Sequence, residues 1–126
     1  MKRLLMAVIV TLFLPISLGF SQELTASWYS IASLKRDGQW KITKGVMANG
    51  KKFQDEKFTC ATRDYELGTY LKIIDNKTGK SIYVKVTDRM SKRFRGKRID
   101  LSKRAFSKIA DLKQGVIRVK VEKISH

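Results

Sequence analysis

Apolar and polar side chains alternate in several short stretches of this 126-residue chain. The clearest stretches are residues 70–74 and 81–86, and the intervening Asp75-Asn76-Lys77-Thr78-Gly79-Lys80 is rich in turn-forming residues. This spacing predicts a β-hairpin. Residues 24–31 and 115–124 have similar strand patterns, so the chain is predicted to be mainly β.

A different periodicity precedes the last predicted strand. Ser102 is suited to cap a helix, Asp100 lies just upstream near the positive end of the helix dipole, and Gly115 follows a plausible helix end. Five apolar residues recur at helical spacing: Ala105, Phe106, Ile109, Ala110 and Leu112. The pattern therefore predicts a small β-barrel with one short helix before the last strand.

The first 21 residues have the features of an export signal. Two basic residues precede an apolar run over residues 4–20, and small residues at positions 19 and 21 favour cleavage before Gln22. A retained membrane anchor is the alternative, but the run is short for a bilayer and Pro15 interrupts it. We expect a signal peptide over 1–21 and a single domain over 22–126, secreted or periplasmic, with no stable membrane insertion after cleavage.

The chain is strongly basic. It has 27 Lys and Arg against 11 Asp and Glu, a net charge of +16, and loss of Lys2 and Arg3 with the leader would leave +14. Such a charge predicts attraction to polyanions, which outside the cell are wall polymers, lipid head groups and DNA. The basic run 92–98 contains only one aromatic residue, Phe94, so a nucleic-acid platform is not expected.

Cysteine and histidine are nearly absent. Cys60 is the single cysteine and His126 the single histidine, so an internal disulfide is impossible. We expect Cys60 to be a small buried residue. The composition argues against a His-based metal site and gives little support to a Cys–His nucleophile, so no metal or cofactor is expected.

Four stretches occur in a recognisable order. They are "TASWYS" (25–30), "MANGKKF" (47–53), "FTCATRDYELGTYLKIID" (58–75) and "GKSIYVKVTDRMSKRFRGKRIDLSKRAFSKIADLKQGVIRVKVE" (79–122). Together they resemble the double-psi β-barrel domain of rare lipoprotein A (RlpA), over about residues 25–122. The last stretch also resembles the first domain of expansins. The resemblance implies a six-stranded double-psi β-barrel.

The two families imply different activities. RlpA proteins are known for lytic transglycosylase activity on peptidoglycan, whereas expansins loosen wall polysaccharides without hydrolysing them. Asp88 matches the catalytic-type Asp of the RlpA pattern, although Met90-Ser91 replaces the Gly-Pro of that pattern. Lys51 and Thr62 stand where the pattern has a Glu and a His. Asp100 matches the essential Asp of the expansin Asp-Leu-Ser motif.

Cleavage of a glycosidic bond needs a proton donor at the leaving oxygen, and hydrolases need a second carboxylate. The resemblance implies that a lytic transglycosylase uses the 6-hydroxyl of the sugar instead, so one carboxyl group acting as acid and then base is sufficient. The catalytic candidates are Asp88, hypothesised to be the proton donor, and Asp100, hypothesised to order the loop and the ligand.

Both candidates also have structural interpretations. Asp100 could favour the helix N-terminus, and Asp88 could pair with Arg89, Arg98 or backbone amides. Neighbouring Lys and Arg side chains lower the pKa of a carboxyl group, whereas a general acid needs a raised pKa.

Further residues are candidates for substrate binding. Trp28 and Tyr29 are adjacent on a predicted strand, so their side chains point to opposite faces, and one of the two is expected on a groove or surface. A core position is the alternative for either ring. The remaining substrate-binding candidates are Ser27, Thr62, Arg89 and Arg98.

These observations leave more than one function open. The first is a secreted wall protein that acts on peptidoglycan glycan strands as a lytic transglycosylase. The alternative is an expansin-like module that binds and loosens polysaccharide without cleaving it. A cationic structural or antimicrobial wall protein is a third possibility. The expected partner is peptidoglycan or another anionic wall polysaccharide, and the protein is expected to be a monomer.

Export can be tested on the protein itself. If residues 1–21 are removed, mass spectrometry of the protein recovered outside the inner membrane should give Gln22, free or cyclised, or a near neighbour as its first residue. Recovery of intact Met1 in the membrane fraction would contradict a cleaved signal.

Overall fold

The structure is a computed structural model that describes residues 21–125. The predicted signal peptide lies outside the described residues, apart from Ser21. The six strands are β1 (Ser21–Tyr29), β2 (Thr59–Ala61), β3 (Tyr70–Asp75), β4 (Ser81–Asp88), β5 (Arg98–Ser102) and β6 (Val116–Ser125). They close into a barrel in the order β1-β5-β2-β4-β3-β6. The predicted six-stranded barrel is therefore confirmed.

Two of the strand pairings are parallel. Strand β1 runs parallel to β5 and β2 runs parallel to β4, whereas the other pairs are antiparallel. Parallel neighbours cannot be joined by a tight turn, so long connections must cross the ends of the barrel. Those connections bring distant parts of the chain together at one end, and this is where the candidate site lies.

The barrel interior is filled by the apolar residues that the alternation predicts. One set of side chains from each strand points inward and is excluded from solvent. Cys60 is among them and is fully buried, as expected. The other interior residues include Leu24, Ala26, Leu71, Ile73, Val84, Val86, Ile99, Leu101, Val119 and Val121.

The hairpin predicted at 70–86 is confirmed, and Asp75 fixes its turn. The Asp75 carboxylate accepts hydrogen bonds from the Lys77 amide (3.1 Å) and the Thr78 hydroxyl (3.0 Å), and the Asp75 carbonyl accepts one from the Gly79 amide (2.8 Å). Gly79 has φ +78°, a conformation that glycine adopts without a Cβ penalty. The register of β3 against β4 follows from this turn.

Among the described residues, three helices accompany the barrel: α1 (Ile31–Arg36), α2 (Gln39–Thr43) and α3 (Lys103–Ile109). The same part of the chain contains two 3-10 turns, Lys92–Phe94 and Leu112–Gln114. Only α3 was predicted. Within residues 21–125, no helix has the length and apolar character that a membrane crossing requires.

The predicted first strand is too long at its C-terminal end, because β1 stops at Tyr29. Ser30 and Ser33 form a reciprocal capping box: Ser30 Oγ accepts from the Ser33 amide (3.1 Å) and Ser33 Oγ accepts from the Ser30 amide (2.8 Å). This pair starts α1 at Ile31.

Helix α3 has the predicted cap but a shorter span. Ser102 Oγ accepts a hydrogen bond from the Ala105 amide (3.2 Å), as expected for an N-cap. The helix ends at Ile109 because Ala110 is extended (φ −156°, ψ 163°). Asp111 then caps the following turn through the Lys113 amide (2.9 Å), so Leu112 lies in that turn and outside α3.

Substitutions in α3 test whether its inward face belongs to the barrel core. Phe106 is fully buried, so Phe106→Ala should lower the free energy of unfolding by about 3–5 kcal/mol in urea titrations. Lys108→Ala on the exposed face of the same helix is the control and should change it by less than about 0.5 kcal/mol. Equal effects of the two substitutions would contradict the assignment of Phe106 to the core.

Candidate functional site

One row of residues crosses four neighbouring strands at the end of the barrel. The register pairs Asp88 of β4 with Ala61 of β2, Ala61 with Asp100 of β5, and Asp100 with Ser27 of β1. Residues directly opposite each other on paired strands project to the same side of the sheet. The row therefore brings the two candidate aspartates to one surface, with their Cα atoms about 10 Å apart across two strand spacings.

An extra residue in β4 produces this alignment. Cys60 pairs with Val86, but the next residue, Ala61, pairs with Asp88, so Thr87 is an additional residue in the ladder. A β-bulge of this kind redirects the side chains that follow it. Without it, Asp88 would follow the inward phase of Val84 and Val86.

Three members of the row, Asp88, Ala61 and Asp100, form the floor of a cleft with a volume of about 350 Å³, whereas Ser27 does not line it. Helices α1 and α2 and the segment after them form one wall, and residues 89–94 form the other. Ala61, which lies between the two aspartates in the row, also lines the cleft. The cleft is lined by Tyr29, Ser33, Leu34, Asp37, Gln39, Thr43, Gly45, Val46, Phe53, Ala61, Asp88, Arg89, Met90, Ser91, Phe94 and Asp100.

Asp100 is half-buried in this floor, within β5. The Ser27 hydroxyl donates a hydrogen bond to Asp100 Oδ1, and Ser27 Oγ accepts one from Arg98 Nε (2.9 Å). Burial raises the pKa of the Asp100 carboxyl and the Asp88 carboxylate adds to the rise, whereas Ser27 and Arg98 lower it. The net shift is upward, so the site holds a carboxyl group that keeps its proton to higher pH than an exposed aspartate.

The contacts of Asp100 are not those of a residue that stabilises a helix N-terminus. The N-cap of α3 is Ser102, and the side chain of Asp100 is engaged instead with Ser27 across the β1–β5 pair.

Asp88 is held by backbone amides. Its Oδ1 accepts hydrogen bonds from the Arg89 amide (2.8 Å) and from the Ala48 amide (3.0 Å), which comes from a separate segment. The carboxylate of Asp88 thus fastens residues 46–52 to the end of β4 while its side chain lines the cleft. It is both a structural partner and a group that faces the cleft.

Tyr29 contributes an aromatic face and a hydroxyl. Its ring stacks on Phe53 with the ring centroids 4.4 Å apart, and both residues line the cleft. The buried hydroxyl has no hydrogen-bond partner among residues 21–125. Burial, followed by the Asp88 carboxylate, raises the pKa of Tyr29, so this hydroxyl stays protonated and is a hydrogen-bond donor.

Polar contacts fix the loop that forms the second wall. Arg89 donates to the carbonyls of Thr62 (2.7 Å) and Tyr65 (2.5 Å), and Arg63 donates to the carbonyl of Met90 (2.7 Å). These contacts satisfy much of the Arg89 guanidinium, so Arg89 positions the wall as well as lining it. The basic stretch is therefore held in place by hydrogen bonds on the side that faces the cleft.

The same loop is tied down at its far end. The carboxylate of Asp64 accepts the Gly96 amide at 2.8 and 3.0 Å, and Gly96 has φ +74°. Arg93 and Arg98 stack on the ring of Phe94, at 4.7 and 5.2 Å from its centroid.

The remaining predicted site residues lie outside the cleft lining. Trp28 points to the opposite side of β1 from Tyr29, packs against the core and donates from Nε1 to the carbonyl of Leu112 (3.1 Å). Thr62 is fully buried and its Oγ1 accepts from the Asp64 amide (3.0 Å). Ser27 donates a hydrogen bond to Asp100, and Arg98 donates one to Ser27. Within residues 21–125, no three His, Cys, Asp or Glu side chains are arranged to hold a metal ion.

The wall built by α1 and α2 is the part of the site that the sequence analysis missed. It contributes Ser33, Asp37 and Gly45 to the cleft. The Ser30–Ser33 spacing is a recognisable capping signal that could have indicated α1. A Cβ at Gly45 would lie 2.5 Å from the Trp40 ring, so this glycine allows the segment after α2 to pack against that ring.

Sequence comparisons match the chain to one family. Its model, described as lytic transglycolase, matches residues 21–121. The endolytic peptidoglycan transglycosylase RlpA of Neisseria meningitidis is 34% identical over 106 residues, covering 83% of this chain and 40% of the relative. The RlpA of Pseudomonas aeruginosa is 35% identical over 100 residues, covering 79% and 26%. The chain thus spans less than half the length of these curated relatives.

Solved structures share the fold at lower identity. The apo expansin of Clavibacter michiganensis has a TM-score of 0.60 at 21% identity, covering 83% of this chain and 50% of the expansin. A point mutant of that expansin, solved in complex with cellohexaose, also gives 0.60, at 19% identity and the same coverage. A Streptomyces papain inhibitor has a TM-score of 0.63 at 21% identity, covering 87% and 97%. The fold, the order of the matched stretches and the family model agree, and the chain belongs to the RlpA-like double-psi β-barrel family of lytic transglycolases.

Proposed function

We propose that this protein acts outside the inner membrane of a bacterium as a lytic transglycosylase that cleaves glycan strands of peptidoglycan, with Asp100 as proton donor. The observation that carries the proposal is the state of Asp100. It lies in the floor of a cleft, half-buried, with a raised pKa and with one oxygen held by Ser27. The family's RlpA members are named as endolytic peptidoglycan transglycosylases, which supports the same reaction.

The reaction needs one carboxyl group in two roles. Asp100 gives its proton to the glycosidic oxygen as the bond from that oxygen to C1 breaks. The 6-hydroxyl of the same sugar then attacks C1, and its proton passes to the Asp100 carboxylate. The product is a 1,6-anhydro sugar, water is not consumed, and Asp100 returns to its starting state.

The roles proposed for the two aspartates are therefore the reverse of those hypothesised from the sequence. Ser27 accepts from Arg98, which leaves the Ser27 proton directed at Asp100 Oδ1. Asp100 Oδ2 has no side-chain partner among the described residues and is the oxygen available to carry the transferable proton. We propose that Asp88 positions the sugar and that its negative charge stabilises the positive charge that develops on the ring in the transition state.

A second function is favoured by a specific observation. The two family positions occupied here by Lys51 and Thr62 supply no carboxylate or imidazole, and Thr62 is fully buried. A cleft with fewer acid–base groups fits a module that binds and loosens glycan without cleaving it. The fold shared with an expansin solved in complex with cellohexaose is consistent with this alternative.

Charge supports a wall polymer as the partner. Only three ion pairs occur within residues 21–125, and all of them involve solvent-exposed side chains: Arg36–Asp37, Arg104–Glu56 and Lys120–Glu122. Most of the cations are therefore available to attract an anionic polymer. We propose that the protein acts as a secreted or periplasmic monomer.

Matched substitutions in the two aspartates test the proposed chemistry. Asp100→Asn keeps the shape and the Ser27 contact but removes the transferable proton, so release of anhydro sugars from purified sacculi should fall about 10²–10⁴-fold. Mass spectrometry of the soluble products measures the release. Asp88→Asn should retain more activity than Asp100→Asn, and its loss should include weaker binding.

Three outcomes separate the alternatives. Sacculus binding by the wild type without any anhydro product would favour the expansin-like function. Full activity of Asp100→Asn would overturn its role as the acid. An unfolded Asp88→Asn, detected by circular dichroism, would make Asp88 a structural residue only.

A further inference from the structure

A second depression lies beside the cleft and has a different chemistry. Its volume is about 480 Å³, and four lysines and two aromatic residues are among its lining residues, with no carboxylate. We call it the lysine groove and define it by Lys51, Lys52, Lys57, Phe58, Tyr70 and Lys85. None of these lysines belongs to an ion pair among the described residues.

One segment of the chain separates the lysine groove from the cleft. Residues 46–52 form a tight hairpin closed by the Val46–Lys52 bridge. Its Ala48 amide donates to Asp88 on the cleft side, and its Asn49 amide donates to the carbonyl of Thr87 (3.1 Å). Thr87 lines the groove and Asp88 lines the cleft, although the two are consecutive in β4. The bulge at Thr87 thus sets the groove directly against the candidate active site.

The floor of the groove contains polar groups that lack partners. Thr59 Oγ1 and Thr87 Oγ1 are buried side-chain atoms without a hydrogen-bond partner among residues 21–125. Only 4% of the surface of Thr87 is exposed. Leaving such a hydroxyl unpaired costs free energy, which a ligand that supplies a hydrogen-bond partner would recover. The third such atom in the described chain is the Tyr29 hydroxyl of the cleft. Every unpaired buried side-chain atom of residues 21–125 therefore belongs to a residue that lines one of these two depressions.

Aromatic rings flank the lysines. Lys85 lies in register with both Tyr70 and Thr59, and its Nζ is 5.8 Å from the centroid of the Tyr70 ring. Tyr70 and Phe58 are large rings with 45% and 38% exposure, and Arg104 lies over the Phe58 ring, 5.8 Å from its centroid. An aromatic face binds the C–H face of a sugar ring, and an ammonium beside it binds an anionic substituent on that ring.

We propose that the lysine groove is a binding site for an acidic sugar, a pyranose that carries a carboxylate, in the glycan strand whose neighbouring part occupies the cleft. The inference rests on the proposed function and extends it to a second site. In peptidoglycan the sugar with this chemistry is N-acetylmuramic acid, through its lactyl group. The groove supplies the cations for that carboxylate, while the cleft keeps its own carboxyl groups for chemistry.

Calorimetric titration tests the proposal with defined probes. The protein is the Asp100→Asn variant, which prevents turnover. One probe is a tetrasaccharide of alternating N-acetylglucosamine and N-acetylmuramic acid with free lactyl carboxylates, and the other has those carboxylates converted to methylamides. We expect the acid form to bind roughly tenfold more tightly, the scale of a hydrogen bond to a charged group.

Two charge-matched double variants locate the preference. Lys57→Gln with Lys85→Gln should abolish the preference for the acid form while leaving the affinity for the methylamide unchanged. Lys77→Gln with Lys113→Gln removes the same formal charge from exposed positions outside the groove and should keep the preference. Thermal midpoints of both variants confirm that each is folded.

The outcomes separate this inference from the proposed function. Two results would overturn the lysine groove as the binding site: equal affinity of the Asp100→Asn protein for the two probes, or equal loss of preference in both double variants. Neither result would bear on the function proposed for the cleft. Failure to bind either probe would contradict glycan binding itself. A third probe with a dipeptide on each lactyl group moves the carboxylate away from the ring, and an undiminished preference for it would overturn the acidic sugar as the ligand.

Discussion

The register among β1, β5, β2 and β4 is the constraint on which the rest of the site depends. Because Ser27, Asp100, Ala61 and Asp88 are directly opposite one another, four residues far apart in sequence share one surface. The bulge at Thr87 is part of that register, since it aligns Asp88 with Ala61. A slip of one residue in any of these pairs would turn an aspartate toward the apolar interior, where a carboxyl group is costly.

The barrel and the site make opposite use of burial. Inside the barrel, burial of apolar side chains stabilises the fold, and the same exclusion of water raises the pKa of the Cys60 thiol and keeps it inert. At the floor of the cleft, partial burial raises the pKa of Asp100. When the pKa of an aspartate is higher in the folded state than in the unfolded state, the stability of the protein falls as pH rises from the unfolded-state pKa through the folded-state pKa. The site therefore gives up some stability above the folded pKa in exchange for a carboxyl group that keeps its proton to higher pH than an exposed aspartate does.

The sequence predicted the elements with strong local signals. The hairpin follows from alternation on both sides of a turn-forming run, and α3 follows from its apolar spacing and Ser102. Strand β5 was missed because it has five residues, only two of them interior apolar side chains, Ile99 and Leu101, and it follows a long basic stretch. Asp100 was consequently assigned to a helix start, although it lies within a strand.

Other features of the site depend on contacts that no local pattern contains. The resemblance singled out both aspartates, but the exchange of their proposed roles rests on burial, on the Ser27 contact and on the amides that hold Asp88. The bulge at Thr87 depends on the pairing of β4 with β2, two strands separated by 19 residues of chain. The lysine groove combines residues from three strands with the segment between α2 and β2, so its lysines appeared in the sequence only as net charge.

The central claim is that Asp100 keeps its proton to higher pH than an exposed aspartate does. Carbon-13 NMR titration of the aspartate carboxyl carbons, with Asp100→Asn to assign the resonance, measures the titration midpoint of Asp100 directly. The account predicts a midpoint for Asp100 above the value of about 3.9 that is usual for an exposed aspartate. A midpoint at or below that value would contradict the account, because the carboxyl group would then be no better a proton donor than any surface aspartate.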